Sequence, residues 1–132
     1  MFHWVYEHDL ARGRRPGYRP NAGGVVPAEE VRCWIDEAKK FGVRSIVCLL
    51  DDQHLTQYTD LPGGLLGAYR DAGFEVAHVP VADHLDPPLS DAQLQAVDRA
   101  YRELAKPVLV HCSAGIDRTG AAIGFIVGLD EQ

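Results

Sequence analysis

The chain predicts an α/β domain: a central, mostly parallel sheet flanked by helices. Apolar runs of strand length alternate with amphipathic stretches of helix length along most of the sequence, the pattern left by strands joined through crossover helices. The run 43–50 is near-continuous rather than alternating, as strands buried on both faces are. The apolar Val108-Leu109-Val110 leads directly into a polar, glycine-containing loop and then a second apolar stretch. That order puts a loop at the carboxyl end of a strand, where open α/β sheets bind ligands.

Taken in order, Phe2–Tyr6 and Leu10–Gly13 read as short strands. Residues 16–24, Pro-Gly-Tyr-Arg-Pro-Asn-Ala-Gly-Gly, carry turn chemistry. Glu29–Phe41 reads as a helix: Val31, Trp34, Ile35, Ala38 and Phe41 recur at helical spacing and Gly42 stops it. Val43–Leu50 follows as a strand and 51–60 as a polar loop. Leu65–Ala72 reads as a helix ended by Gly73, Phe74–Val81 as a strand, and Ala82–Leu89, with Pro87 and Pro88, as a loop. Ser90 is the N-cap of a helix reaching Lys106, with Leu94, Val97, Tyr101 and Leu104 on one face. Pro107–His111 is the last strand, and the proline-free run Arg118–Gly128 the last helix. No repeat or linker interrupts the chain, so residues 1–132 are expected to form one domain.

Composition narrows the function. The chain carries a net charge of −6, which argues against nucleic acid or anionic lipid as a partner. No apolar stretch approaches the ~20 residues of a membrane span, and the start lacks the basic and apolar regions of a signal peptide. Three irregularly spaced cysteines do not form a disulfide framework or a zinc site. Nor do His3, His8, His54 and His78 have metal-ligand spacing, so no metal or cofactor is expected. Cys48 reads as core and Cys33 as a helix residue without special role. The charge is uneven: Arg12, Arg14, Arg15 and Arg19 cluster. They read first as a solvated loop and second as a basic rim that attracts phosphorylated substrates.

Residues 111–120, His-Cys-Ser-Ala-Gly-Ile-Asp-Arg-Thr-Gly, carry the chemistry. A free thiol ionises near pH 8.5, and a helix N-terminus with nearby cations brings that down toward neutrality. If Arg118 opens a helix, the N–H groups of residues 113–118 point inward with the helix dipole behind them, which makes an anion site. Arg118 adds a planar fork for two phosphate oxygens. Thr119 can donate its hydroxyl to the sulfur, and Gly115 and Gly120 allow close backbone approach. A reactive thiol also requires reducing surroundings, so the expected location is the cytoplasm.

This segment resembles the phosphate loop of the cysteine-dependent protein tyrosine phosphatase superfamily. His-Cys, five residues, Arg, then Thr is matched at His111, Cys112, Arg118 and Thr119, with Ala114, Gly115 and Gly120 agreeing. The element order, the Leu10–Gly13 and Pro16 region, Gly42-Val43 and the Asp83 loop are similar to small dual-specificity phosphatases. The resemblance implies Cys112 as nucleophile, Arg118 and Thr119 as further catalytic residues, and Ser113, Ala114, Gly115, Ile116 and Asp117 around the phosphate. His111 is expected to support the loop by hydrogen bonding. The family's general acid lies on a loop some thirty residues before the cysteine. Asp83 directly follows a strand there and takes the role, with Asp86 and Asp117 as alternatives and His84 at the rim.

Two departures from the family pattern stand out. The sequence ends at Gln132, where relatives continue for one or two helices, so the helix over 121–129 is expected to have less cover. Asp117 puts a negative charge beside the phosphate site. The implied activity is hydrolysis of phosphotyrosine, and of phosphoserine or phosphothreonine, in a phosphorylated protein or peptide. The rivals are a phosphoinositide phosphatase, a rhodanese-like or arsenate-reducing enzyme, and a non-catalytic phosphate-binding module. Ser113 and Ile116 stand where lipid phosphatases carry lysines, while Asp117-Arg118-Thr119 is an ending several of those enzymes share.

Overall fold

A computed structural model describes residues 1–20 and 23–132. Asn21 and Ala22, part of the expected turn segment, lie outside the described residues. Five strands, β1 (His3–Tyr6), β2 (Leu10–Gly13), β3 (Ser45–Cys48), β4 (Glu75–His78) and β5 (Val108–His111), form one sheet in the order β1-β2-β5-β3-β4. Among the described residues only β1 runs antiparallel to its neighbour. The α/β class with a mostly parallel sheet is as expected.

Helices cover both faces. α1 (Ala28–Phe41) and α3 (Gly64–Asp71) enclose one core layer, containing Trp34, Ile46, Tyr69 and Leu109. α4 (Asp91–Glu103) and α5 (Asp117–Asp130) enclose the other, containing Val47, Val97, Val110 and Ile126. Along β5, Leu109 joins the first layer and Val108 and Val110 the second. That is the two-residue period of a strand with both faces buried.

Helix ends follow the sequence closely. Gly42 closes α1 at φ +100°, with its own N–H and that of Val43 reaching back to Lys39 and Ala38, a left-handed cap that favours glycine. Ser90 Oγ accepts from Gln93 N–H while Gln93 Oε1 accepts from Ser90 N–H, a reciprocal capping box at the start of α4. α4 stops at Glu103 rather than at Lys106, because Leu104 already takes extended backbone at ψ 153°. The strands are shorter than their apolar runs: Val43, Leu49, Leu50, Phe74 and Val81 are buried but lie outside the paired register. The loop expected over 51–60 instead holds a short helix, α2 (Asp52–Leu55), and a 3₁₀ turn (Thr56–Tyr58). Asp51 Oδ1 caps α2 by accepting from His54 N–H at 3.0 Å. On α5, Leu129 is exposed while Ala122, Ile123 and Ile126 are buried.

Candidate active site

The parallel register sets the site. Gly13 and Cys48 both pair with His111, so β2, β5 and β3 end at one edge of the sheet. The chain leaving each strand therefore enters the same space. Leu49 N–H donates to His111 O, Val81 N–H to Leu49 O, and Arg15 N–H to Ser113 O. These bonds tie three crossovers around the turn 112–116 that joins β5 to α5.

Gly115 makes this turn possible. It sits at φ +78°, and a Cβ there would lie 2.5 Å from Gly13 O. Its N–H donates to Cys112 Sγ at 3.3 Å, and Cys112 is buried. α5 begins at Asp117, so its free N-terminal amides and positive dipole end face the turn. A side chain at Gly120 would meet only Arg12 at 3.6 Å, an ordinary contact, so this glycine is not needed for close approach.

Arg118 is buried and shared among several acceptors. Nη1 donates to Val81 O at 2.7 Å, and Nη2 lies 3.4 Å from Asp83 Oδ2. Its Nε has no partner among the described residues. Asp83 is positioned by its own turn: Oδ1 accepts from His84 N–H at 3.0 Å, and His84 stands at φ +61° with an exposed ring. Asp86 is exposed and apart from this cluster. Thr119 is fully buried, but its hydroxyl has no partner among the described residues. The expected bond from Thr119 to the sulfur is not formed, and the donor to Sγ is the Gly115 N–H instead.

Cys112, Arg118 and Asp83 line one cavity of about 410 Å³, together with Ser113, Ala114, Ile116, Asp117 and His84. Arg15, Tyr18, Arg19, Pro20, His54 and Gln57 complete the wall. Arg15 corrects the expectation of a solvated arginine cluster. It is buried, donating from Nε to Ser113 Oγ at 2.9 Å and from Nη1 to Tyr58 Oη at 3.1 Å. Arg12 donates to Gly115 O at 2.9 Å, bracing the turn from behind. Arg14 is exposed, and Arg19 pairs with Glu30 at 2.6 Å. The parallel placement of 10–13 beside the last strand was the missing signal: residues following β2 had to fall at the ligand edge.

His54, which sequence spacing leaves without a role, also reaches the cavity. Its Nδ1 lies 3.2 Å from Asp51 Oδ1, off the line of a hydrogen bond. Burial and then the Arg118 charge hold its pKa below the ordinary value. His111 is fully buried between Tyr69 Oη at 2.9 Å on Nε2 and Cys112 O at 2.9 Å on Nδ1. A carbonyl only accepts, so the network assigns the proton to Nδ1, and Tyr69 donates to Nε2. Burial pushes His111 down to about 4. Cys48 is a free thiol in the core, pushed up to about 12 by burial. Among the described residues no group of three His, Cys, Asp or Glu is placed to hold a metal ion, and no helix is long and apolar enough to cross a membrane.

The family model described as "polymorphic toxin system, DSP-PTPase phosphatase" matches residues 33–129. The chain belongs to that family. This phosphatase shares its fold with the kinase associated phosphatase KAP (TM-score 0.70, 19% identity, 91% of this chain and 65% of that one). It likewise resembles the core catalytic domain of the S. cerevisiae PP-IP phosphatase Siw14 (TM-score 0.60, 18% identity, 99% and 67%). A DUF442 protein of Shewanella putrefaciens is similar as well (TM-score 0.62, 20% identity, 89% and 64%). The phosphatase spans about two thirds of the length of these solved chains. No curated protein matches it. As a cysteine-based DSP-PTPase phosphatase it is a hydrolase of phosphorylated substrates, which sets aside the rhodanese-like, arsenate-reducing and non-catalytic readings.

Proposed function

We propose that this phosphatase hydrolyses phosphotyrosine and related aryl phosphomonoesters in proteins or peptides, through a phosphocysteine at Cys112. One observation carries the reading: Cys112, Arg118 and Asp83 converge on a single cavity. The Cys112 thiolate attacks phosphorus, an S–P bond forms and the ester P–O bond breaks. Asp83 gives its proton to the leaving oxygen. Water then attacks the phosphocysteine and passes a proton to Asp83, so inorganic phosphate leaves and the thiolate is restored. Arg118 and the N-terminal amides of α5 hold the equatorial oxygens, where charge develops.

The Arg118–Asp83 contact gives this cycle an order. While Nη2 faces Asp83 Oδ2, the carboxylate is engaged as an ion-pair acceptor. An arriving phosphoryl group competes for the guanidinium, and Asp83, released from the pair, takes a proton from solvent and delivers it to the leaving oxygen. The unpartnered Nε of Arg118 is a buried donor that a phosphoryl oxygen would satisfy. The cavity wall supports an aryl substrate: Tyr18, Pro20 and the exposed Ile116 are part of its lining.

A second reading, an inositol phosphate or pyrophosphate substrate, draws on Arg15, Arg19 and His54 around the same cavity and on the fold shared with a PP-IP phosphatase. Arg19 is already paired with Glu30, and the acidic Asp117 lines the same cavity, so the aryl phosphomonoester is preferred. The test compares kcat/KM on phosphotyrosine peptides, soluble phosphoinositides and inositol pyrophosphates, with Cys112→Ser as control. Peptides should be the best substrates, vanadate should compete, and Cys112→Ser should bind substrate without turnover. A higher kcat/KM on any inositol compound would reverse the preference. Full activity in Cys112→Ser would end the phosphocysteine mechanism.

A further inference from the structure

Arg15 is 4% exposed, and among the described residues no carboxylate comes within ion-pairing distance of it. A buried charge without an opposite charge is costly. All of its partners are neutral. Nε donates to Ser113 Oγ at 2.9 Å and Nη1 to Tyr58 Oη at 3.1 Å. Its main-chain N–H donates to Ser113 O at 2.9 Å. Tyr58 Oη in turn donates to Pro16 O at 2.7 Å, which anchors the far end of the network. These bonds fix the guanidinium in place and leave its charge unbalanced. The same side chain lines the cavity with Cys112 and Arg118.

Arg118 faces Asp83 across 3.4 Å, so part of its charge is already answered. A phosphate monoester brings ≈ −1.5 to −2 at pH 7, more than one guanidinium balances. The field of Arg15 reaches into the site: burial first, and then the charges of Arg118 and Arg15, lower the pKa of both His54 and His111.

We propose that Arg15 is the second anion-compensating cation of this active site and positions the phosphate loop through Ser113. It is a positioning residue, reaching the phosphoryl group through the Ser113 hydroxyl and the loop backbone while its charge complements that of Arg118. The proposal rests on the cavity being the phosphate site and deepens that reading by accounting for the second charge of the substrate.

The experiment measures tungstate binding by calorimetry in wild type, Arg15→Gln, Arg15→Met and Arg15→Lys, so the readout does not depend on turnover. Arg15→Gln keeps a donor for Ser113 and removes the charge. It should weaken tungstate by about tenfold or more, with a matching rise in KM for p-nitrophenyl phosphate and a smaller change in kcat. Arg15→Met should lose at least as much. Arg15→Lys keeps the charge and should recover most of the affinity. A strut without electrostatic purpose gives the opposite pattern, with Gln close to wild type and Lys as poor as Met, and that result overturns the proposal. If Arg15→Met does not fold, the Gln and Lys pair decides. If neither of those folds, Arg15 is structural first and the proposal fails. Failure of the phosphatase reading itself is distinguishable, because wild type would then neither bind tungstate nor turn over p-nitrophenyl phosphate.

Discussion

Arg118 Nη2 lies 3.4 Å from Asp83 Oδ2, while Nη1 of the same guanidinium donates to Val81 O at 2.7 Å. The cation of the phosphate loop thus grips the segment that carries the proposed acid. One planar fork orders both halves of the site, across 35 residues of sequence, and its Nε has no partner among the described residues.

Arg118→Lys should be nearly as damaging as Arg118→Ala. An ammonium is a point charge that cannot hold Val81 O, face Asp83 and meet two phosphoryl oxygens from one plane. The kcat for p-nitrophenyl phosphate should fall on the order of 10²-fold or more. Retention of more than about a tenth of wild-type kcat by the lysine variant, which is ~1.4 kcal/mol of barrier, would show that bidentate geometry matters little here.

Asp83→Asn should lower kcat by about 10²–10⁴-fold, the usual worth of general acid catalysis, with KM little changed. The loss should be greatest for phosphotyrosine and alkyl phosphates and smallest for aryl phosphates with good leaving groups. Asp86→Asn should be close to neutral, because Asp86 is exposed and lines no wall of the cavity. Asp117, in the first turn of α5 and on the cavity wall, is the competitor. A leaving-group dependence that changes in Asp117→Asn and not in Asp83→Asn would move the acid to the phosphate loop.

His111 gives the fold an acid limit. Its folded-state pKa of about 4 is below the ~6.5 of an unfolded histidine. Between those values the unfolded chain binds a proton that the native chain refuses, so stability rises with pH through this window and is lost as pH falls from 6.5 toward 4. The contribution is on the order of 3 kcal/mol. Urea midpoints measured from pH 7 to 4 should show this slope in wild type and a shallower one in His111→Gln. Tyr69→Phe should also destabilise at pH 7, by about 1–3 kcal/mol, because it strips the donor from a buried Nε2. Equal slopes in wild type and His111→Gln would place the acid limit elsewhere.

Gly115→Ala should cripple the enzyme and the fold together. At φ +78° an alanine carries backbone strain of about 1–3 kcal/mol, and its Cβ would meet Gly13 O at 2.5 Å. The turn must then move away from β2, taking the Gly115 N–H off Cys112 Sγ. The variant should lose both Tm and kcat. Gly120→Ala, which meets only a flexible Arg12 end at 3.6 Å, should keep both. A fully active Gly115→Ala would mean that the turn tolerates a different path.

The amino-acid sequence by itself determined the α/β class, the cap at Ser90, the stop at Gly42 and the loop 111–120 with its cysteine and arginine. Each of these is written in neighbouring residues: an apolar period, a capping pair, a glycine after a helix, a cysteine and an arginine on one short turn. Tertiary structure decided the rest, because the rest depends on which strand lies beside which. The order β2-β5-β3-β4, with Gly13 and Cys48 paired with His111 and Cys48 paired with His78, brings Arg15, His54 and Asp83 to one edge from three distant segments. The arginine cluster shows the difference. Arg12, Arg14, Arg15 and Arg19 are the same residue type in one short stretch, and sequence treats them alike. The fold exposes Arg14, pairs Arg19 with Glu30, sets Arg12 behind the phosphate turn and buries Arg15 beneath Ser113. Charge and hydrogen-bonding capacity belong to the side chain, but whether that charge faces water, a carboxylate or a phosphate is settled only when the sheet is assembled.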